Sequence, residues 1–342
     1  MPMNESQSSE GLRQGGAWHL AVVTPVFNDW ASLSRLIADL DDVSTASATE
    51  FSIFVIDDGS SEPPSIDLSL DRLRRVRGVE IITLACNMGH QRAIAIGLVE
   101  AHRRKGFDAV LVMDADGEDR PSDVPRLVEE ARQHPGHIVC ARRRRRPGLY
   151  AFVAWYACYK LLFRLLTGRR LDFGNFCLIP SERLGALISD PSIWNHLASA
   201  LGRARNPLLR VPIDRGSRYA GVSKMNFVSL VMHGLSAMAV YSDVVMVRLL
   251  LGAVAVSILT IAGLCGVVFV KLFTALAIPG WATSAAGILV IVLVQALMLF
   301  TIAAFNIMSA RSLTVVIPRL DAAKFILSRR VVVSRALGEA AE

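Results

Sequence analysis

Short apolar runs alternate with stretches of helical spacing over residues 19–140, and from residue 249 onward the pattern gives way to long uncharged apolar stretches. His19–Val26, Phe51–Ile56, Glu80–Leu84, Ala109–Met113 and His137–Cys140 read as strands. They are continuous apolar runs, of the kind a sheet buries on both faces. Between them, Trp30–Leu40, Gln91–His102 and Pro121–Gln133 carry helical spacing. Such an order of elements predicts β-α-β units and an α/β fold with a Rossmann-like sheet. In these sheets ligands gather beyond the carboxyl ends of the strands, which is where Pro25, Asp58, Asn87 and Asp114 fall.

The later stretches have a different length scale. No charged residue occurs from Leu249 to Val270, nor from Leu272 to Ala310. A helix crossing the hydrocarbon needs about 20 apolar residues, so residues 244–310 are expected to form two transmembrane helices, joined by a short turn around Ala277–Ala282 that contains Pro279-Gly280. Arg248 precedes the first span, and Arg311, Arg319, Lys324, Arg329, Arg330 and Arg335 follow the second. Lys271 lies at a helix end, where it can snorkel. By this bias both termini and the N-terminal α/β domain are expected to face the cytoplasm, with residues 311–342 as a basic cytoplasmic tail. Residues 1–17 are polar and small without the apolar core of a signal peptide, and are expected to be disordered. Tyr150–Leu166 is rich in aromatic residues and leucine, with Lys160 and Arg164 four apart. It reads as an amphipathic interface helix near 150–167, or alternatively as a surface helix packed on the sheet; a second candidate spans 222–238.

Composition sharpens this picture in three places. Hydrophobic residues make up 52% of the 342, above the roughly 45–50% of soluble domains, and the spans account for the excess. A net charge of +7 suits anionic membrane lipids and a phosphate-bearing substrate. No aromatic-plus-basic recognition module accompanies it, so no nucleic acid partner is expected. Cys86, Cys140, Cys158, Cys177 and Cys265 include no Cys-x-x-Cys pair, which points to reduced, mostly buried thiols.

The candidate chemistry centres on Asp114-Ala115-Asp116 at the end of the fourth predicted strand. Two carboxylates one residue apart form a hard-oxygen site suited to a divalent cation on a diphosphate, although Asp is also common wherever a strand turns. Thr24-Pro25-Val26-Phe27-Asn28-Asp29, Ile56-Asp57-Asp58-Gly59-Ser60 and Asn87-Met88-Gly89-His90-Gln91 precede it at successive strand ends. In order and spacing the four motifs resemble the family-2 inverting glycosyltransferases, and within them the polyprenyl-phosphate (dolichyl- and undecaprenyl-phosphate) glycosyltransferases. The resemblance covers roughly residues 19–310 and implies a GT-A catalytic domain, amphipathic interface helices and a C-terminal two-helix membrane hairpin.

What the resemblance implies for individual residues follows position by position. Pro25, Phe27 and Asp29 would frame the nucleotide base, with Phe27 where Tyr is usual, and Asp57 and Asp58 would contact base and ribose. Strand alternation lets only one of that pair face the ligand squarely. Asp114, Ala115 and Asp116 match the diphosphate segment, with Asp114, Asp116 and Glu118 as ligands of Mg²⁺ or Mn²⁺ and Asp116 catalytic. Glu118 replaces a frequent Gln, so its role stays open; Asp119 is alternatively a cap for the helix near Pro121. Arg142 matches the acceptor-phosphate arginine, while the rest of Arg142–Arg146 reads as membrane-facing charge. Arg215, Arg218, Ser223 and Lys224 resemble a loop that clamps acceptor phosphate or donor diphosphate, or else form a plain juxtamembrane basic loop. Asp172, near the reaction centre by the same likeness, would act as base or position the acceptor.

The expected reaction is transfer of a sugar from a nucleotide sugar, UDP-linked in bacterial relatives, to a polyprenyl phosphate with inversion at the cytoplasmic face of a bacterial inner membrane. The likeness also leaves room for a homo-oligomer, dimer or tetramer. A processive polysaccharide synthase would carry a Gln/Arg-x-x-Arg-Trp motif and further spans; Trp194 sits instead in Ser192-Ile193-Trp194-Asn195. A non-enzymatic membrane scaffold is the other alternative.

Overall fold

A computed structural model describes residues 17–47, 49–65, 73–143, 150–170, 172–204, 206–220, 227–274, 279–312 and 315–334. The first half runs β1 (Trp18–Val26), α1 (Trp30–Ser47), β2 (Thr49–Asp57), β3 (Val76–Leu84), α2 (His90–Arg104), β4 (Ala109–Val112), α3 (Val124–Gln133) and β5 (Ile138–Arg143). Then follow α4 (Tyr150–Thr167), β6 (Cys177–Pro180), α5 (Ser181–Leu187), α6 (Leu197–Arg203), β7 (Leu208–Ile213) and α7 (Phe227–Ala239). The last elements are α8 (Ser242–Phe273), α9 (Trp281–Ser312), α10 (Pro318–Asp321) and β8 (Ile326–Ser334). These elements group into two compact units, one within Met1–Arg146, Leu171–Leu230 and Val316–Glu342, the other within Pro147–Arg170 and Val231–Val315.

In the first unit all eight strands form one sheet in the order β7-β5-β6-β4-β1-β2-β3-β8. β4, β1, β2 and β3 run parallel, as do β5 and β7. β6 is antiparallel to both β4 and β5, which gives β5 and β7 the same direction as β4. Every loop after β1, β2, β3, β4, β5 and β7, together with the loop before β6, therefore emerges at one end of the sheet. Apolar side chains cover both faces: Leu33, Leu36, Ile37 and Leu40 of α1 with Leu127 and Val128 of α3 join one core. Ile94, Ile96 and Leu98 of α2 with Leu187 and Leu201 join the other. Gly97 lets α2 lie close to the sheet, because a Cβ there would collide with Val23 and come within 2.9 Å of Ile56.

Several expectations need correction. Pro121–Asp123 forms a 3-10 turn before α3, and Asp119 does not cap it, because Arg120 holds the cap position. Instead the Asp119 carboxylate turns back to accept the Asp114 N–H at 3.1 Å. Among the described cysteines Cys140 and Cys177 are buried, whereas Cys86 and Cys265 are exposed; all four are free thiols.

Residues 316–334, expected within a basic tail, rejoin the first unit. β8 pairs antiparallel with the outer edge of β3, from Leu84↔Ile326 to Gly78↔Ser334, and Ala85 N–H donates to Phe325 O at 2.9 Å. Phe325 packs on Trp194 with ring centroids 5.2 Å apart. Arg329 reaches across to Glu100 of α2 at 2.9 and 3.2 Å, where Arg103 also binds at 2.8 Å. β8 escapes a periodicity reading because it is an edge strand: Leu327 is 70% and Val331 58% exposed, so apolar and basic residues share its open side.

The second unit is helical. α8 and α9 are 32 residues each, about 48 Å at the helical rise, and both are long and apolar enough to cross a membrane. They pack on each other through small residues such as Ala253, Thr260, Ala296 and Ala303, while Leu251, Leu259, Phe273, Ile288 and Phe305 point outward. Soluble proteins rarely expose so continuous an apolar surface. α4 belongs to this unit and not to the unit that holds the sheet. Tyr159 OH donates to Gly234 O at 3.2 Å, the Phe163 and Tyr241 rings meet at 5.9 Å, and Arg248 donates to Leu165 O at 2.6 Å. Leu161, Leu162 and Leu165 stay exposed.

Candidate functional site

The loops after β1 and β2 are tied to each other. Asn28 takes a left-handed conformation, φ 49°, which Asn tolerates better than most residues. Its side-chain oxygen accepts from Ser61 N at 2.9 Å and Glu62 N at 3.3 Å, and its own N–H donates to Ser60 Oγ at 2.9 Å. Asp57 accepts from Ser60 N at 2.9 Å. Asp58 accepts from Met88 N at 2.6 Å and from Gly89 N at 3.0 Å, fastening the start of α2. Both carboxylates are buried. Burial pushes Asp58 above the usual carboxylate range despite those two N–H donors. Pro25 is buried at the end of β1, Asp29 is half-buried, and Phe27 presents a 43% exposed ring.

The loop after β4 carries the acidic group. Ala115 is buried in the core, which turns its neighbours outward: the side chains of Asp114 and Asp116 are 30% and 16% exposed. Asp116 Oδ1 accepts the Glu118 N–H at 2.9 Å, and Arg218 binds its other oxygen at 2.8 Å. Burial raises the Asp116 carboxyl above its usual range, and the charges of Asp114 and Glu118 add to that. Glu118 is bound by Arg218 at 3.1 Å and also by Arg215. Burial works to raise it, but the two arginines outweigh burial and hold it below its ordinary value. Arg215 and Arg218, expected to meet phosphate, thus have carboxylate partners here, and Glu118 is the counter-ion of the basic loop.

His90 and Asn175 join the same place without having been singled out from sequence. His90 Nε2 stands 3.3 Å from Asp114 Oδ1 and 3.2 Å from Asn175 Nδ2. Loss of water contact works against a charged ring, but Asp114, Asp119 and Asp58 outweigh it and lift the His90 pKa above its ordinary value. Its place within the Asn87–Gln91 motif was the available signal. Beside them, Asp172 lies between two guanidinium groups, Arg142 at 3.4 Å and Arg210 at 3.3 Å. Arg210 also sits over the Phe173 ring at 5.6 Å. A lone arginine inside strand β7 gave no sequence signal. Ser223 and Lys224, and the side chains of residues 143–146, lie outside the described residues.

Among the described residues no three His, Cys, Asp or Glu side chains cluster closely enough to hold a metal ion unaided. Mg²⁺ at nucleotide sites takes one or two protein carboxylates and completes its shell with phosphate oxygens and water. Asp114 and Asp116 offer hard oxygen donors from one loop.

Sheet order and carboxyl-end loops define an α/β domain with an acidic pair facing arginines at one end of its sheet. Residues 21–185 match the model for Glycosyl transferase family 2, so this sheet carries a family 2 glycosyltransferase domain of GT-A-like fold. The undecaprenyl-phosphate 4-deoxy-4-formamido-L-arabinose transferase of Klebsiella pneumoniae (strain 342) is 25% identical over 216 residues, 62% of this chain. The chain spans 64% of that relative's length. An uncharacterized glycosyltransferase of Synechocystis sp. is 26% identical over 279 residues, 79% of this chain and 84% of its own. Among solved structures, glucosyl-3-phosphoglycerate synthase from Mycobacterium tuberculosis in complex with Mn²⁺, UDP-glucose and phosphoglyceric acid aligns with a TM-score of 0.48 at 15% identity, covering 67% of this chain and 80% of that one.

Proposed function

We propose that this protein transfers one sugar from a nucleotide sugar, UDP-linked, to a polyprenyl phosphate, with inversion at the anomeric carbon. The observation that carries the reading is the convergence, at one end of the sheet, of the acidic pair Asp114 and Asp116 with Arg215 and Arg218, next to Arg142 and Arg210 around Asp172. Relatives named as undecaprenyl-phosphate transferases support the acceptor class.

In this reading Pro25, Phe27 and Asp29 frame the base, and Asp57 and Asp58 contact base and ribose. Asp114 and Asp116 would hold a divalent cation, Mg²⁺ or Mn²⁺, which when bound supplies positive charge to the leaving diphosphate. Arg215 and Arg218 add cationic charge there, with Ser223 and Lys224 from the same loop. Arg142 binds the acceptor phosphate, and Asp172 holds that guanidinium in place. A phosphate monoester is ionised near neutral pH, so it attacks without a strong general base. Its oxygen forms the bond to the anomeric carbon as the bond from that carbon to the diphosphate oxygen breaks, and the electron pair leaves with the nucleoside diphosphate. Both carboxylate rows and cationic groups are fixed before substrate arrives, the condition under which electrostatic stabilisation is strongest.

Chain order supports the membrane placement: the path leaves the sheet after β7, runs through α8 and α9, and rejoins the sheet as β8. Two spans return a chain to the side it left. With the basic residues at both hairpin ends, this favours a catalytic domain on the cytoplasmic face of a bacterial inner membrane.

The test offers purified full-length protein a panel of nucleotide sugars with short-chain polyprenyl phosphate and Mn²⁺ or Mg²⁺. Nucleoside diphosphate release is expected to depend on both the lipid phosphate and the divalent ion. Equal release with the matching polyprenyl alcohol would refute the acceptor assignment.

A further inference from the structure

Next to Arg218, Tyr219 binds the acidic loop and helix α1 at once. Its N–H donates to Asp116 O at 2.9 Å, and three residues earlier Gly216 N–H donates to Glu118 O at 2.9 Å. Its hydroxyl donates to Asp39 Oδ2 of α1 at 2.6 Å. Arg35, one turn earlier on α1, stacks over the ring at 5.0 Å from its centroid. The opposite side of this seam is open only because two residues lack side chains. Gly117, at φ +86°, would place a Cβ 2.8 Å from the Tyr219 ring, and a Cβ on Gly216 would collide with Gly117 O.

We infer that Tyr219 is the positioning residue that fixes Arg218 against Asp116 and Glu118, and that its hydrogen bond to Asp39 sets how firmly the site grips a diphosphate. An arginine side chain has many rotamers, and ordering one on a free loop is costly. Here the loop is already ordered by the next residue, whose ring lies in the seam and whose hydroxyl is anchored on a helix packed on the sheet. Arg218 then keeps both carboxylates within 3.1 Å without having to order the loop itself. Burial and the neighbouring Asp39 raise the Tyr219 pKa, so the hydroxyl stays a donor throughout the neutral range. The seam stands on the structure alone; only the identity of the gripped ligand rests on the proposed function.

The experiment uses full-length protein in detergent and two readouts. By hydrogen exchange, Tyr219→Phe and Asp39→Ala are expected to speed amide exchange across residues 214–220 about tenfold, in line with the loss of one charge-assisted hydrogen bond. Peptides of β1 and β4 should be unchanged, and Asp39→Asn, which keeps an acceptor oxygen, should restore most of the protection. By calorimetry with UDP and Mn²⁺, Tyr219→Phe should weaken binding about five- to tenfold in the wild-type background and have no further effect once Arg218→Ala is present. Unchanged exchange in both Tyr219→Phe and Asp39→Ala would overturn the inference, as would losses that add fully in the Arg218→Ala background. If exchange rises and the two residues are coupled while no sugar donor is turned over, the positioning role stands and the proposed reaction fails.

Discussion

Replacing Asp116 with asparagine is expected to lower kcat/KM by roughly a thousandfold while leaving the melting temperature unchanged or slightly raised. The two halves have one cause. In the folded protein Asp116 is desolvated and crowded by Asp114 and Glu118, so its charged form opposes folding more than a neutral amide would. Arg218 offsets part of that repulsion and retains Glu118 as a partner after the change, which keeps the basic loop in place. The missing charge is felt only when a cation and a diphosphate must be held. Measuring turnover and thermal unfolding on the same preparation separates the two effects. Full activity in Asp116→Asn would remove this carboxylate from the site, and a large fall in stability would show that its role is structural.

Replacing Arg329 with alanine is expected to cost about 2 kcal/mol of stability at pH 7 and to shift the acid sensitivity of the fold. Glu100 has a 5% exposed side chain between Arg103 and Arg329. Burial acts to raise its pKa, but the two arginines outweigh it, so the net value lies below the ordinary 4.5. A carboxylate with a depressed folded pKa contributes stability that is present above its unfolded value and lost as pH falls through the folded one. Wild-type protein should therefore lose this contribution only below about pH 4.5. With Arg103 alone the folded pKa moves up towards the unfolded value, so Arg329→Ala has less stability to lose on acidification, and the gap between the two proteins should narrow as pH falls below about 4.5. Urea unfolding of both proteins between pH 4 and pH 7 checks this; parallel stability curves would show that β8 is not fastened through Glu100.

The apolar runs at residues 19–26, 51–56, 80–84 and 109–113 made the central strands legible, because a parallel sheet buries them on both faces. The two long apolar helices were legible as well, since length and lack of charge suffice. β8 was hidden because an edge strand needs no continuous apolar run, and its basic residues resemble a juxtamembrane tail. At the site, sequence located the loops but not the partners. Arg215 and Arg218 were read as phosphate contacts, yet which carboxylates they meet depends on the loop after β7 bonding to the loop after β4, a contact that spacing does not encode. Asp119 looked like a cap because it stands near Pro121; its carboxylate is instead drawn to the Asp114 N–H. Tyr219 and Arg210 carry no motif of their own, and their roles arise only from the elements they touch. Gly117 and Gly216 held the missing clue, since each permits a close approach that any side chain would block.

The account's central claim is that diphosphate and lipid phosphate meet at one end of this sheet for a single sugar transfer. Mass spectrometry of the lipid formed from a labelled nucleotide sugar and a short-chain polyprenyl phosphate addresses it most directly. The predicted product is the lipid phosphate heavier by one sugar residue, formed by wild-type protein and lost in Asp116→Asn. A ladder of lipids carrying repeated sugars, or a glycosylated product that persists in Asp116→Asn, would contradict it.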